Sequence, residues 1–266
     1  MKYKLLAIDL DDTLLGRDLQ ISERNIRAIH EAVKKGVRVT LASGRATQSV
    51  QYYLNMLGLE IPIITYQGAR VVDTSTGEVM YKKELSLEQA MPIVKFAEKV
   101  GIHCNVYVDD VIYVEEMTEW AKLYQKYSVK VPMEAVGKLS EFLDKPTTKM
   151  ILIDEHERLE EIREEVEKLA GESAHVFYSK PFFLELTNKY GTKGEAVKFL
   201  GEYFGIPREQ IMVIGDTYND VSMIKYAGLG VCMANGPDDV KKVADYVTLS
   251  NDEDGVAHAI EKFILV

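Results

Sequence analysis

The chain has 266 residues, of which 47% are apolar and 28% charged. This composition supports an ordinary core and excludes disorder and collagen-like repeats. Its 42 acidic and 32 basic residues give a formal net charge of −10, so we expect no general binding to nucleic acid or to anionic membranes. A metal ion could still attract a small anionic substrate.

The remaining composition signals favour a cytoplasmic protein. Cys104 and Cys232 are too few for a disulfide framework or a zinc knuckle. The N-terminus (MKYKLLAIDLDD) becomes acidic after one short apolar stretch, so we do not expect a signal peptide. Apolar runs stay well below the ~18 residues of a membrane span.

Short apolar runs alternate with helical patterns in the first part of the chain. Buried strands are predicted at residues 3–8, 37–42 and 61–65. One helix is predicted from an N-cap at Ser22 to Lys35, and a second from Ala46 to Leu57. Alternation of this kind indicates a parallel sheet with right-handed crossovers, whose ligands bind at the carboxyl ends of the strands.

The pattern changes after Gly68 and returns near Gly191. Between them the sequence predicts a hairpin (70–73 and 78–82), helices at 87–100 and 155–170, and strands at 103–108, 111–115, 149–154, 175–179 and 183–187. Beyond Gly191 it predicts helices at 193–204, 220–227 and 238–243 and strands at 211–214 and 230–233. We therefore expect one α/β domain, residues 1–82 and 188–266, interrupted by an inserted α+β domain at 83–187.

Four short polar motifs lie at strand ends or at a helix start. The segment 9–13 (DLDDT) follows the first strand, and because alternate residues of an extended segment share a side, Asp9 and Asp11 can face one point. The others are LASGR, which contains Ser43 and Gly44, GTKG, which contains Lys193, and GDTYND at 215–220. The small Ser-Gly pair suits a phosphate close to the backbone, and a lysine at a helix start suits an anion.

Together these motifs predict a site for a hard cation. They supply three or four carboxylates, one hydroxyl and one ammonium group, without histidine or cysteine. Oxygen ligands of this kind favour Mg²⁺, whereas zinc prefers nitrogen or sulfur. A bound Mg²⁺ would also allow several neighbouring carboxylates to stay ionised.

The chain resembles the haloacid dehalogenase (HAD) superfamily of phosphohydrolases, and within it the Cof-type group with a type IIB cap. The resemblance is carried by DLDDT, LASGR, GTKG and GDTYND in this order, with a cap-sized insertion before the lysine. It extends to the tail GVCMANGPDDVKKVADYVT. It implies a Rossmann-like core with the insertion as an α+β cap that closes over the strand ends and excludes water.

The resemblance also implies a role for each motif. Asp9 would attack the phosphoryl group to form an aspartyl-phosphate, and Asp11 would protonate the leaving alcohol and later activate water. The implied metal ligands are Asp9, the Asp11 carbonyl and Asp216, with Asp220 in support. The implied phosphate-binding residues are Ser43, Gly44, Lys193 and Asn219. Thr13 is interpreted as fixing the turn below the nucleophile.

Two further positions are candidates for substrate contact. Arg45 follows the Ser-Gly pair, although an arginine there can equally be packing or surface charge. Gln67 stands in Thr65-Tyr66-Gln67-Gly68-Ala69, where Cof-type relatives commonly have Ser-Asn-Gly-Ala. If this loop touches the substrate, its pocket differs from theirs.

The leading interpretation is a Mg²⁺-dependent phosphatase of small phosphorylated metabolites, sugar phosphates above all. One alternative is a phosphomutase or phosphotransferase on the same core. A phospho-accepting receiver-like module is a weaker alternative, because such a module has about half this length and carries its phosphorylated aspartate mid-chain. A silent binding relative would be expected to lack one of Asp9, Asp11, Lys193 and Asp216, all of which are present.

Overall fold

The structure is a computed structural model that describes residues 2–128 and 131–266. Its strands are β1 Leu5–Ile8, β2 Arg38–Leu41, β3 Ile63–Thr65, β4 Arg70–Val72, β5 Val79–Lys82, β6 His103–Val108, β7 Val111–Val114, β8 Met133–Ala135, β9 Lys149–Ile153, β10 Ala174–Lys180, β11 Phe183–Asn188, β12 Ile211–Gly215, β13 Leu229–Cys232 and β14 Tyr246–Val247. Its helices are α1 Glu23–Lys34, α2 Thr47–Met56, α3 Leu87–Val100, α4 Glu119–Gln125, α5 Leu139–Phe142, α6 His156–Ala170, α7 Lys193–Tyr203, α8 Val221–Tyr226, α9 Asp238–Lys241 and α10 Gly255–Phe263.

The described chain divides into two compact units. The first, called the core unit, comprises the described residues up to Gly44 together with Val50–Tyr81 and Thr192–Val266. The second, called the cap unit, comprises Arg45–Ser49 and Lys82–Gly191. Each unit has its own sheet.

A parallel five-stranded sheet in the order β14-β13-β12-β1-β2 forms the centre of the core unit. Strand β1 is apolar at every position and therefore faces a core on both sides. Leu6 and Ile8 pack in a cluster with residues of α1 and α10, whereas Leu5 and Ala7 pack in a second cluster with residues of α7 and α8. Each buried leucine or isoleucine contributes about 1.5–3 kcal/mol.

A smaller sheet in the order β3-β4-β5 continues the core unit beyond β2. A single parallel bridge joins Ala42 to Ile64, so the end of β3 lies beside the end of β2. The loop after β3 therefore reaches the same edge of the sheet as the residues that follow β2.

The cap unit contains a six-stranded mixed sheet in the order β10-β11-β9-β6-β7-β8, with only the β7–β8 pair parallel among these strands. Side chains alternate across it, because successive residues of a strand point to opposite faces. One face carries Val106, Leu152 and Leu184, which form a core with residues of α3 and α6. The neighbouring positions carry Asn105, Lys149 and Glu185, all buried.

The α/β class with an inserted mixed-sheet unit is confirmed, and the predicted strands and helices lie within a few residues of the observed ones. Five observed elements were not predicted: α4, α5, β8, β14 and α10. The helices within 2–128 and 131–266 include none that combines the length and apolar character needed to cross a bilayer.

Candidate active site

Three of the predicted site residues lie at the carboxyl ends of three neighbouring core strands. Asp9 follows β1, Ser43 follows β2 by two residues, and Asp216 follows β12. Backbone hydrogen bonds continue past the strand ends, with Asp9 N donating to Ile214 O at 2.9 Å and Ser43 N donating to Ile64 O at 3.0 Å. All three side chains are buried.

Three carboxylates form the centre of this edge. One oxygen from each of Asp9, Asp216 and Asp220 lies within 4.8 Å of the other two. Asp220 is held by its own turn, because its Oδ2 accepts from the backbone N–H groups of Asp216 at 2.9 Å and Thr217 at 3.1 Å. Gly215 leaves space for the Asp220 side chain, since a Cβ at Gly215 would lie 2.5–2.7 Å from the Asp220 carboxyl group.

Lys193 supplies the positive charge inside the cluster. It begins α7 after an N-cap at Thr192, and its side chain is fully buried. Its Nζ donates to Asp9 Oδ1 at 2.5 Å and to Asp220 Oδ1 at 2.6 Å. Burial opposes the charged ammonium, but the carboxylates of Asp220 and Asp9 outweigh this effect and hold the pKa of Lys193 above its ordinary value.

One ammonium group does not balance three carboxylates. Burial, followed by the charge of Asp220, raises the pKa of Asp9 well above its ordinary value despite the contact with Lys193. Burial and the same neighbour raise the pKa of Asp216 to about 7. A cation between these groups would favour their ionised forms. The all-oxygen donor set fits a hard divalent ion, as the sequence predicts.

The turn after β1, which follows Asp9, is bonded to Asp216. Residues Leu10–Leu14 form one π-type turn in which Asp12 has a φ of 55°. Asp11 is half-buried and Asp12 exposed. Thr13 is fully buried, and its Oγ1 donates to Asp216 Oδ1 at 3.0 Å. The sequence interpretation had Thr13 fixing a turn below the nucleophile and missed this bond to a carboxylate on another strand.

The predicted phosphate-binding residues include a pair bridged by Gln67. Asn219 is exposed, and its Nδ2 donates to Gln67 Oε1 at 2.8 Å. Gln67 N donates to Ser43 O at 3.0 Å. The Gln67 Nε2 atom lies so close to Gly44 that a Cβ at Gly44 would collide with it. The Gln67 amide therefore stands between the Ser43-Gly44 segment and Asn219.

The Gln67 loop has an unusual backbone. Tyr66 and Gln67 have φ values of 52° and 62°, a region that non-glycine residues seldom adopt, and Gly68 follows at 96°. A Cβ at Gly68 would collide with the Thr192–Lys193 backbone. The loop is thus packed against the start of the helix that carries the lysine. Arg45, the other candidate for substrate contact, is half-buried and belongs to the cap unit.

Comparison with known proteins shows the family of the chain. The sequence model of the family described as haloacid dehalogenase-like hydrolase matches residues 6–260. A putative phosphatase of Bacillus subtilis, YxeH, is 34% identical over 99% of both chains. The 5-amino-6-(5-phospho-D-ribitylamino)uracil phosphatase YitU of the same organism is 31% identical over 98% of both chains.

Solved structures share the whole fold. The crystal structure of TM0651 from Thermotoga maritima matches with a TM-score of 0.91 at 35% identity, covering 98% of this chain and 97% of that one. BT4131, described as a HAD subclass IIB sugar phosphatase, matches with a TM-score of 0.82 at 29% identity, covering 99% of this chain and 100% of that one. The chain therefore belongs to the haloacid dehalogenase-like hydrolases, in the Cof-type group of subclass IIB.

Proposed function

We propose that this phosphatase of small phosphorylated metabolites is a Mg²⁺-dependent hydrolase of sugar phosphates that works through an aspartyl-phosphate on Asp9. The observation that carries the proposal is the buried contact of Asp9 with Lys193 beside Asp216 and Asp220. A carboxylate in this position is a nucleophile that is held in place and faces a cation.

In the first step, an Asp9 carboxylate oxygen forms a bond to phosphorus while the bond from phosphorus to the ester oxygen breaks. The half-buried Asp11 gives its proton to the departing alcohol oxygen. In the second step, Asp11 takes a proton from a water molecule, whose oxygen forms a bond to the phosphorus while the bond from phosphorus to the Asp9 oxygen breaks. Inorganic phosphate leaves, and Asp9 returns to its starting state.

The carboxylates of Asp9 and Asp216 and the backbone carbonyl of Asp11 would hold Mg²⁺, with Asp220 in support. When bound, the ion supplies positive charge that lets an anionic nucleophile and an anionic ester approach. Asp220 has a further task in this proposal, because its two oxygens hold Lys193 Nζ and the backbone of the Asp216 loop.

The phosphoryl oxygens would be bound by the Ser43 hydroxyl, the Ser43-Gly44 backbone, Lys193 and Asn219. Gln67 adds one donor to this set. Since Asn219 Nδ2 donates to Gln67 Oε1, the Gln67 amide is oriented with Nε2 toward Gly44. Arg45 is a candidate for contact with the leaving group.

Two relatives support a polyhydroxylated leaving group. BT4131 is described as a sugar phosphatase, and the name of YitU specifies a phosphate on a ribityl chain. The substrates that these two names indicate are phosphate esters of hydroxyl-bearing carbon chains. The free, buried thiols of Cys104 and Cys232 fit a reducing compartment, and we place the activity in the cytoplasm.

The test is phosphate release from a panel of hexose phosphates, pentose phosphates, nucleotides, flavin mononucleotide and pyridoxal phosphate, with Mg²⁺ and with EDTA. We expect Mg²⁺-dependent release from a few sugar phosphates and its loss in Asp9→Asn. The exposed Asp144 provides the matched control, Asp144→Asn, which should keep full activity.

Three results would contradict the proposal. Release that persists after complete chelation would exclude the metal, and release by Asp9→Asn would exclude that nucleophile. Phosphate that appears on a second sugar position, rather than in solution, would identify a phosphomutase.

A further inference from the structure

The loop 233–236, which follows β13, lies against the carboxylate site but has no part in the proposed chemistry. Its turn is closed by a hydrogen bond from Gly236 N to Met233 O at 3.1 Å. A Cβ at Gly236 would collide with the backbone oxygen of Asp216. The residue that precedes this glycine, Asn235, therefore lies beside the edge of the sheet that carries the three carboxylates.

Asn235 holds the turn that carries Asp11. Its Nδ2 donates to the carbonyl oxygen of Asp12 at 2.8 Å, and its Oδ1 accepts from the backbone N–H of Asn251 at 3.1 Å. Only one orientation of the amide satisfies both partners, because Asp12 offers an acceptor and Asn251 a donor. Asn251 Nδ2 in turn donates to Leu15 O at 3.0 Å. We call Asn235 and Asn251 the asparagine clamp.

The clamp binds the turn at two points, which are the strained residue Asp12 and the residue that ends the turn, Leu15. Asp12, with a φ of 55°, adopts a left-handed conformation that costs a non-glycine residue free energy. Its carbonyl, bound by Asn235, is in the peptide that leads out of this conformation. Asp11 immediately precedes it in extended backbone, with φ −71° and ψ 129°. The direction of the Asp11 side chain thus depends on a turn that Asn235 fixes.

We propose that Asn235 is a positioning residue that aims the Asp11 carboxyl group at the oxygen of the leaving group. The inference rests on the proposed function, because it requires Asp11 to be the general acid. Asn235 touches neither the ester nor the metal in this proposal. It acts only by keeping the Leu10–Leu14 turn in one conformation.

A substrate whose leaving group needs no proton can distinguish this positioning role from a merely structural one, because its cleavage does not depend on proton donation by Asp11. The value of kcat/KM reports events up to phosphorylation of Asp9, so it isolates the step in which Asp11 donates a proton. The leaving group of an aryl ester such as 4-nitrophenyl phosphate is a stabilised phenolate that departs without a proton. The leaving group of a sugar phosphate is an alcohol, whose oxygen must receive a proton as it departs.

The experiment therefore compares Asn235→Ala with wild type on 4-nitrophenyl phosphate and on the sugar phosphate that wild type cleaves fastest. We expect kcat/KM to fall about 10- to 100-fold on the sugar phosphate and less than about 3-fold on the aryl ester. Asn251→Ala should show the same asymmetry to a smaller extent. The control is Asn55→Ala, which removes an exposed side-chain hydrogen bond with Gln51 on α2 and should change neither value.

Equal losses on both esters, or no loss on either, would overturn the positioning role of Asn235. Asp11→Asn is measured in parallel to separate this failure from that of the proposed function. If Asp11→Asn shows the asymmetry and Asn235→Ala does not, only the inference fails. If Asp11→Asn loses activity equally on both esters, the acid role of Asp11 and the inference fail together.

Discussion

Both units bury a lysine against carboxylate groups, but the charges balance in only one of these two places. In the cap unit, Lys149 Nζ lies 2.6 Å from Glu185 Oε2, and Ser179 Oγ donates to Glu185 Oε1 at 2.6 Å. One cation there faces one carboxylate whose second oxygen is also satisfied. In the core unit, Lys193 faces Asp9 and Asp220 and leaves Asp216 without a cationic partner among the ion pairs of the described residues.

The difference distinguishes a balanced ion pair, which is sufficient in itself, from a carboxylate cluster with an excess of negative charge. A balanced buried pair is self-sufficient, although its desolvation makes it a poor source of stability. An unbalanced cluster keeps its charges only with help from outside the chain, from a cation or a ligand. The raised pKa values of Asp9 and Asp216 express this requirement.

Removal of the core lysine should have the largest effect. We expect Lys193→Met to lower kcat/KM about 10³-fold, because it removes a charged donor from the phosphoryl group and uncovers repulsion between carboxylates. Thermal unfolding should also show a larger stabilisation by Mg²⁺ than in wild type. Lys198→Met, on the exposed side of the same helix, is the control. A loss below 10-fold would exclude Lys193 from the phosphoryl-binding set.

In the cap unit, replacement of both Lys149 and Glu185 should restore the stability that a single replacement removes. Glu185→Leu alone should cost about 3–5 kcal/mol of unfolding free energy, because Lys149 then remains buried without a partner. Lys149→Met combined with Glu185→Leu should restore stability to wild type or exceed it by about 1–4 kcal/mol. Urea titration measures both variants. A double variant as unstable as the single one would show that this pair is not merely structural.

The smallest effect on the site is expected from removal of the Thr13 hydroxyl, which joins the turn after β1 to Asp216. Thr13→Val should weaken Mg²⁺ binding about 10-fold, or about 1.4 kcal/mol, because Asp216 loses the donor that orients it. Thr40→Val is a matched control, since Thr40 is equally buried and donates to Pro62 O at 2.6 Å within the same unit.

Isothermal titration with Mg²⁺ would separate the two threonine variants. Both should lose some stability, but only Thr13→Val should change the affinity for the ion. Equal Mg²⁺ affinities in the two variants would contradict an orienting role for Thr13.

The centre of the site was predictable because parallel strands place their ends together. Asp9, Ser43 and Asp216 each follow a predicted strand, and the positions of strand ends can be predicted without knowing which contacts the side chains make. The bond from Thr13 to Asp216 was not predictable in this way. It spans 203 residues and depends on a turn in which Asp12 has a positive φ.

The cap pair and the missed helices show the same limit. The strands of Lys149 and Glu185 were predicted, but their contact depends on the register of β9 against β11, which an individual strand pattern does not define. Helix α4 buries only Ala121 and Tyr124, too few positions for a helical period. Helix α10 begins with a glycine after a left-handed Asp254 and has no side-chain cap to mark its start.

The order of strands in the core sheet has a consequence for how the enzyme is made. Strand β1 pairs with β12, which lies far along the chain, and the proposed nucleophile Asp9 lies 184 residues ahead of Lys193. At about 5–20 residues per second, a ribosome needs roughly 10–40 s to cover that interval. A nascent chain thus carries Asp9 for many seconds without a working centre. We therefore expect phosphatase activity only after the part of the chain that carries Lys193 and Asp220 has been translated.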